Sequence, residues 1–256
     1  MKLHIFGTCS GTEPFPGRHH CSFAVDWNDR LYWFDTGECC AHTAHVMGIN
    51  ILRTAKICVS HTHFDHVGGL PHLLWALRKL DGTNGSQRCR EIELFIPDIT
   101  CWQGIDAMMK SCQGGFAPNF ALSAREYGDG LAFCENGLSV TALHTNHLAH
   151  IDGTPWRAFG FKIQAGGSTV VYSGDTGGID DFAPLLPCDL LLMETGHHHP
   201  VEIARELLRR GLPFGRLAFI HHGRDILDRY DEQVRALDSI VPGRWRILED
   251  ATTLEV

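Results

Sequence analysis

Apolar residues along this chain fall into short runs bounded by turn residues, and their period shifts from two to about four as the chain proceeds. KLHIFG, SFAVDW and RLYWFDTG read as strands, with Asn28-Asp29 suited to a hairpin turn between the second and third. AHTAHVMG reads as a short helix ending at Gly48, and KICVSHTH as an apolar strand running into polar residues. LPHLLWALRKL places Leu70, Leu73, Leu74 and Leu77 on one helical face. EIELFIP is a predicted strand, and DITCWQGIDAMMKSC a helix opened by Asp98 as N-cap. The stretch from Pro97 to Tyr127 as a whole reads as helix and loop.

Three consecutive strands follow in LSVTALHT, FGFKIQAG and STVVYSGDT, and then strand alternates with helix. CDLLLMET and RLAFIHHG are buried strands, and YDEQVRALDSI is a helix. PVEIARELLRRG is a helix with Pro200 at its first position and Gly211 after its end. A doubly wound sheet does not accommodate the consecutive strands between residues 138 and 173, whereas two sheets with helices outside do. No repeat, low-complexity tract or linker interrupts the pattern, so one domain over residues 1–256 is expected.

Composition narrows the function classes. With a formal net charge of −8 the chain is a poor general nucleic-acid binder. It has no apolar run near the ~18–20 residues of a membrane span. The start, MKLHIFGTCSG, reads as a strand rather than a signal peptide. The ten cysteines include no CxxC and are expected to be reduced and mostly buried, which fits a cytoplasmic protein. Histidine is the unusual component, with 17 residues, many of them clustered.

SHTHFDHVGG gathers His61, His63, Asp65 and His66 directly after an apolar strand. Alternate residues of an extended segment point the same way, so His61 and His63 can face one point, and Asp65 and His66 a second one nearby. Without metal, so many titratable groups at a strand end would carry a desolvation cost. Imidazoles and a carboxylate are suitable donors for a pair of zinc-like ions.

His61-x-His63-x-Asp65-His66 resembles the signature of the metallo-β-lactamase superfamily. That resemblance implies an α/β fold, an αββα sandwich of two mixed sheets with helices outside and metals at one edge. The superfamily's other motifs resemble Asp35 in LYWFDTG, His147 in SVTALHTNH, Asp175 in VVYSGDT and His221 in RLAFIHH. It implies one metal held by His61, His63 and His147, and a second by Asp65, His66 and His221, with Asp175 bridging. Zn2+ is the first expectation, with Mn2+ or Fe as alternatives. Asp65 is also expected to orient the attacking water or take its proton. Asp35 is expected to accept an N–H from a ligand histidine or to brace the HTHFDH loop.

The opening FGTCSGTEPFPGRHHCSF and the segment HTHFDHVGGLPHLL resemble the ribonuclease Z and cyclic phosphodiesterase branch. In that branch a histidine 22 positions before the last ligand histidine protonates the leaving oxygen. Here 221 − 199 = 22, which points to His199. His199 precedes Pro200, which disfavours helical geometry at His199 and so suits it as N-cap. His197, His198 and His222 are expected to shape the pocket or contact substrate. His19 and His20 lie in the first loop, which approaches the site in relatives; ordinary loop residues are the first expectation for them, and a substrate contact the alternative.

The long Gly/Pro-rich arm with which ribonuclease Z grips tRNA has no counterpart in the short Pro97–Tyr127 stretch, which speaks against tRNA. The expectation is a metal-dependent hydrolase acting on a small or cyclic phosphodiester, with catalytic Asp65 and His199 and two divalent metal ions. The alternative is a thioester or lactone hydrolase of the glyoxalase II or lactonase type, and after it an iron-dependent oxygenase. The sequence leaves a homodimer open.

Overall fold

The computed structural model describes residues 1–83 and 91–256. Strands β1 (Lys2–Gly7), β2 (Ser22–Trp27) and β3 (Arg30–Phe34) form an antiparallel meander. Helix α1 (Cys40–Val46) then leads to β4 (Thr54–Cys58). Helices α2 (Phe64–Val67) and α3 (Leu70–Thr83) precede β5 (Glu91–Phe95), and α4 (Ile99–Ser111) precedes β6 (Ala121–Arg125). β3 to β6 pair in parallel.

The second half repeats this scheme. β7 (Gly130–Glu135), β8 (Leu138–His144), β9 (Phe159–Ala165) and β10 (Ser168–Tyr172) form an antiparallel meander. Helix α5 (Ile179–Phe182) follows, and then β11 (Cys188–Thr195), α6 (Pro200–Arg209), β12 (Phe214–His222), α7 (Arg224–Ile240) and β13 (Trp245–Ile247). β10 to β13 pair in parallel, and β14 (Thr252–Glu255) returns to β1. Two seven-stranded sheets result, ordered β14-β1-β2-β3-β4-β5-β6 and β13-β12-β11-β10-β9-β8-β7.

The sheets stack because their strands are apolar on both faces. In β2 and β3, Phe23, Val25, Tyr32 and Phe34 enter the core between the sheets, while Ala24, Leu31 and Trp33 meet α1 and α3 outside. In β11 and β12, Leu190, Leu192, Ala218 and Ile220 face inward, while Leu191, Met193, Leu217 and Phe219 meet α5, α6 and α7. The period of two thus delivers each side chain to one of three apolar layers, which is the expected αββα sandwich.

The Asn28-Asp29 turn, with both residues at positive φ, and the Asp98 cap on α4, which accepts from the Thr100 N–H at 2.9 Å, agree with the sequence reading. The Pro97–Tyr127 expectation needs correcting, because β6 lies within it and extends the first sheet. β7, β13 and β14 were also not anticipated. β6 carries alternate exposed and half-buried residues, and β13 and β14 have three and four residues, so their apolar signal is weak. Among the described cysteines, Cys9, Cys21, Cys40, Cys58 and Cys188 are buried, and Cys39, Cys112 and Cys134 are exposed. No helix among the described residues is long and apolar enough to cross a membrane.

Candidate metal centre

The chemistry-bearing residues gather where strands of both sheets end. Asp35 follows β3, His61 to His66 follow β4, His147 follows β8, Asp175 follows β10, His197 follows β11, and His221 lies near the end of β12. The carboxyl ends of parallel strands are where an open sheet leaves its loops free to form a site. Positions far apart in the sequence therefore converge at one edge of the sandwich.

Two donor groups form there. His61, His63, His147 and Asp175 make one, and Asp65, His66 and His221 the other, with the donor atoms of each group within 4.8 Å of one another. Asp175 serves both. Its Oδ2 lies 3.6 Å from His61 Nε2 and 3.7 Å from His147 Nε2, while its Oδ1 lies 3.4 Å from His66 Nε2 and 3.4 Å from His221 Nδ1. Asp65 Oδ2 completes the second group, 3.3 Å from His66 Nε2 and 3.1 Å from His221 Nε2. His147, rather than His144 or His150, reaches the centre, and its Nε2 is 3.2 Å from His63 Nδ1.

The donors fit divalent cations. His61 Nε2, Asp175 Oδ1 and His221 Nδ1 are buried and have no hydrogen-bond partner, an expensive arrangement unless something else engages them. Burial holds the His61 imidazole well below its ordinary pKa, so its lone pair is free for a cation. At His66 burial works against protonation, but the Asp175 and Asp35 carboxylates outweigh it and raise the pKa well above the usual range. His221 is likewise pushed up to about 9, with Asp175, Asp65 and Glu194 overcoming burial. Burial alone would raise Asp65, yet the histidines facing it hold its carboxyl far below normal. The cage is rich in negative charge and attracts positive charge from any source.

The supports around the donors are specific. Asp35 is completely buried at φ 56°, a left-handed conformation rare outside glycine. Its Oδ2 accepts from His66 Nδ1 at 2.8 Å and from the Tyr172 hydroxyl at 2.8 Å, and its Oδ1 accepts from the Ser60 N–H at 2.6 Å. Donation from Nδ1 leaves His66 Nε2 as the free donor atom. Asp35 therefore touches both a candidate ligand histidine and the residue that opens the HTHFDH loop. His221 is the extra residue of a β-bulge: Ile220 pairs with Glu194 and His222 with Thr195, leaving His221 between them at φ 54°. Gly196 lies against it, and a Cβ there would come within 2.7 Å of His221 Nδ1.

The histidine triplet divides. His197 Nδ1 is 3.1 Å from Glu194 Oε1, and its ring centroid is 4.7 Å from that of His147 and 5.8 Å from that of His221. With Asp175 and His221 it forms a third set of potential donors. His198 Nε2 is turned to the Thr176 carbonyl at 2.9 Å and so braces the loop after β10. His199 is the N-cap of α6, as its position before Pro200 predicts, with an exposed ring held by Asp225.

His222 departs from expectation. It is fully buried, with Nε2 2.8 Å from the Leu248 carbonyl and Nδ1 3.2 Å from the Thr195 hydroxyl, and burial depresses its pKa to about 3. Those contacts tie β12 to its neighbours and give it no access to substrate. The first loop does approach the centre, since Gly11 lies against Asp65. His19, however, is held by Asp250 at 2.9 Å and His20 by Glu38, so both are committed to fixing that loop.

Sequence reasoning missed Glu194, Ser60 and Tyr172. Glu194 is completely buried, accepts from the Gly196 N–H at 2.7 Å and the His197 N–H at 3.0 Å, and is drawn down to about 2. Burial opposes that shift, and hydrogen bonds from His197 and His221 overcome it. Its available signal was a lone carboxylate inside the apolar run LLLMET. Tyr172 and Ser60 carried no comparable signal, because a tyrosine in a strand and a serine at its end are ordinary.

A sequence profile described as the beta-lactamase superfamily domain matches residues 50–244. Ribonuclease Z of Exiguobacterium sp. is 29% identical over 164 residues, covering 64% of this chain and 48% of that protein. Ribonuclease Z of Bacillus licheniformis is 30% identical over 169 residues, covering 64% of this chain and 49% of that protein. The chain thus spans about half the length of these curated relatives. Among solved structures, human tRNase Z, short form, has a TM-score of 0.75 at 20% identity, covering 100% of this chain and 99% of that one. The metallo-beta-lactamase fold protein YhfI from Bacillus subtilis has a TM-score of 0.73 at 18% identity, covering 99% of each chain. The profile match over most of the chain, joined to the two donor groups and the αββα sandwich, establishes that the chain belongs to the beta-lactamase superfamily, with the metallo-β-lactamase fold.

Proposed function

We propose that this protein is a metal-dependent hydrolase of phosphodiesters, with a small or cyclic phosphodiester as substrate. The observation that carries the reading is Asp175, whose two oxygens face two separate donor groups beside a loop that also bears His197 and His199. In this reading His61, His63, His147 and Asp175 hold one divalent ion, and Asp175, Asp65, His66 and His221 the other. Imidazole-rich donors with carboxylates suit Zn2+ first, then Mn2+ or Fe. Such an ion pair would supply the Lewis acidity that makes water a nucleophile at neutral pH.

The protein's own groups supply the rest. Asp65 orients the water and accepts its proton as the new P–O bond forms. His197, backed by Glu194, faces the phosphoryl oxygens. His199, backed by Asp225 on the open rim, gives its proton to the ester oxygen as the old P–O bond breaks. An alkoxide needs that proton more than a thiolate does, and general acid catalysis typically contributes about 10²–10⁴-fold. Relatives named ribonuclease Z and a solved diphosphatase from the PhnP family support phosphoryl chemistry. The net charge of −8 and the short α4–β6 segment between β5 and β7 favour a small substrate. The names of the same relatives make tRNA cleavage the second reading.

Metal-loaded protein is expected to hydrolyse bis(p-nitrophenyl) phosphate and to lose that activity on chelation. Robust hydrolysis of thioesters or lactones without phosphodiester turnover would sink the reading, and efficient cleavage of a tRNA precursor would move it to the second. On a phosphodiester with an alkoxide leaving group, His199→Ala should lower kcat by about 10²-fold or more at unchanged metal content, whereas bis(p-nitrophenyl) phosphate, whose leaving group needs little protonation, should be hydrolysed nearly as well as by wild type. The loss should shrink for substrates whose leaving groups need no proton. If His197→Ala shows that leaving-group dependence and His199→Ala does not, the acid is His197.

A further inference from the structure

His147 is carried by a long connection, residues 145–158 between β8 and β9. The residues just before it are well held. The Thr145 hydroxyl donates to the Asp175 carbonyl at 2.6 Å, and the Asn146 N–H and side-chain amide donate to Asp181 at 2.8 and 2.6 Å. The residues after it are held differently. Ala149 to Pro155 are exposed. Among the described residues, the hydrogen bonds of that stretch run from Thr154 to the Ile151 carbonyl and from His150 to the Thr154 carbonyl, and so stay inside the loop.

A stack of three rings ties this stretch to the fold. Trp156 stacks on the imidazoles of His144 and His150, with ring centroids 3.9 Å apart in both pairs and interplanar angles of 11° and 20°. At that spacing one face of the indole has no room for both imidazoles, so each takes its own face. Both ends of the stack are anchored. His144 closes β8, where it pairs with Phe159, and Asp129 accepts from its backbone N–H and its Nδ1 at 2.7 Å each. Trp156 packs against the core between the sheets. His144 stands three residues before His147 and His150 three after it, so the stack closes a loop of chain around the donor. The two histidines that do not reach the centre thus hold the one that does.

We propose that Trp156 is a positioning residue for the metal centre: stacked between His144 and His150, it fixes the loop so that His147 stands in place before an ion arrives. The proposal rests on the reading of His61, His63, His147 and Asp175 as the donors of one ion. A loose loop would have to be ordered when that ion binds, at a cost in conformational entropy, and the stack removes the cost beforehand. Asp65, His66 and His221, which serve the other ion, lie outside the loop, so the effect is confined to one of the two ions.

Titration of Zn2+ against a chromophoric chelator, which resolves the two binding steps, tests this. Trp156→Ala should weaken one step about 10-fold, the order expected from two stacked aromatic pairs. It should leave the other step unchanged, which also shows that the variant folds. Trp156→Phe keeps a ring between the imidazoles and should recover most of the loss. In a His147→Ala background, adding Trp156→Ala should cause no further loss, because a residue that acts through His147 has nothing left to act on. Where Trp156→Ala does not fold, His150→Ala removes one exposed ring of the stack and makes the same comparison, with a smaller loss expected in the same step. Equal weakening of both steps, a loss of full size in the His147→Ala background, or no loss in the stack variants would overturn the proposal. If His147→Ala itself binds two ions as wild type does, the reading of His147 as a donor fails and the proposal with it. A loss in His147→Ala without one in Trp156→Ala overturns the proposal alone.

Discussion

Asp35 shows how one buried side chain sets the character of the centre. Its carboxylate accepts from His66, Ser60 and Tyr172 and lies where bulk water cannot replace a lost partner. Asp35→Asn keeps the shape but presents an amide, which no longer favours the Nδ1–H tautomer of His66. Metal affinity should fall about 10- to 100-fold, the usual effect of losing a group that orients a ligand. Competition with a chromophoric chelator measures this, and an unchanged affinity would show that the Ser60 and Tyr172 contacts hold the site alone. His61, His63, Asp65 and His66 were legible in the sequence because a dense polar cluster after an apolar strand is costly to bury unless a cation engages it. Glu194 and Tyr172 were not, because their roles follow from strands that meet only in the folded sandwich. The substrate contact expected of His222 fails for the same reason, since its ring is committed to a partner that only folding brings near.

Among the elements, the loop after β10 is held by a carboxylate as well as by His198. Asp181, in α5, accepts from the Asn146 and Gly177 N–H groups at 2.8 Å each and from the Thr176 hydroxyl at 2.9 Å. It thereby clamps the segments carrying His147 and Asp175. Burial would raise its pKa, but these hydrogen bonds outweigh burial and lower it from the ordinary 3.8. A carboxyl depressed in the folded state stabilises fully above its unfolded pKa and loses that contribution as pH falls through the folded value. The stability gap between wild type and Asp181→Asn, from urea midpoints of the metal-free proteins, should be widest near neutral pH. It should narrow steadily as pH falls below about 4. A gap independent of pH would show that Asp181 acts through shape alone. Periodicity was a sound guide to the long buried strands β11 and β12, and less so for β6, β13 and β14, whose few apolar positions only neighbouring strands make meaningful.

Across the whole molecule, stability depends on the layer between the sheets. Phe161 is fully buried there, with ring centroids 5.4 Å from Phe34 and 5.8 Å from Tyr127. Phe161→Ala should cost about 3–5 kcal/mol in chemical denaturation, and a cost under about 1 kcal/mol would mean that the two sheets are not held by this layer. Burial also controls the thiols: those of Cys9, Cys40 and Cys188 are pushed up to about 12, and those of Cys21 and Cys58 higher still. Of the described cysteines, Cys39, Cys112 and Cys134 should react with a thiol reagent in the native protein. The five buried thiols should react only after unfolding, which mass mapping of the labelled sites would show. Cys89 lies outside the described residues.

The sequence by itself determined two sheets with helices outside, because the period of apolar residues dictates which faces must be covered, and the donors His61, His63, Asp65 and His66, because clustered donors keep their chemistry whatever surrounds them; His147, Asp175 and His221 were reached through the family resemblance. Tertiary structure alone decided how Asp175 is shared, how a bulge aims His221 and which histidine of the triplet meets the centre. Those are relations between atoms far apart in the chain, and a linear pattern holds no information about a distance until packing creates it.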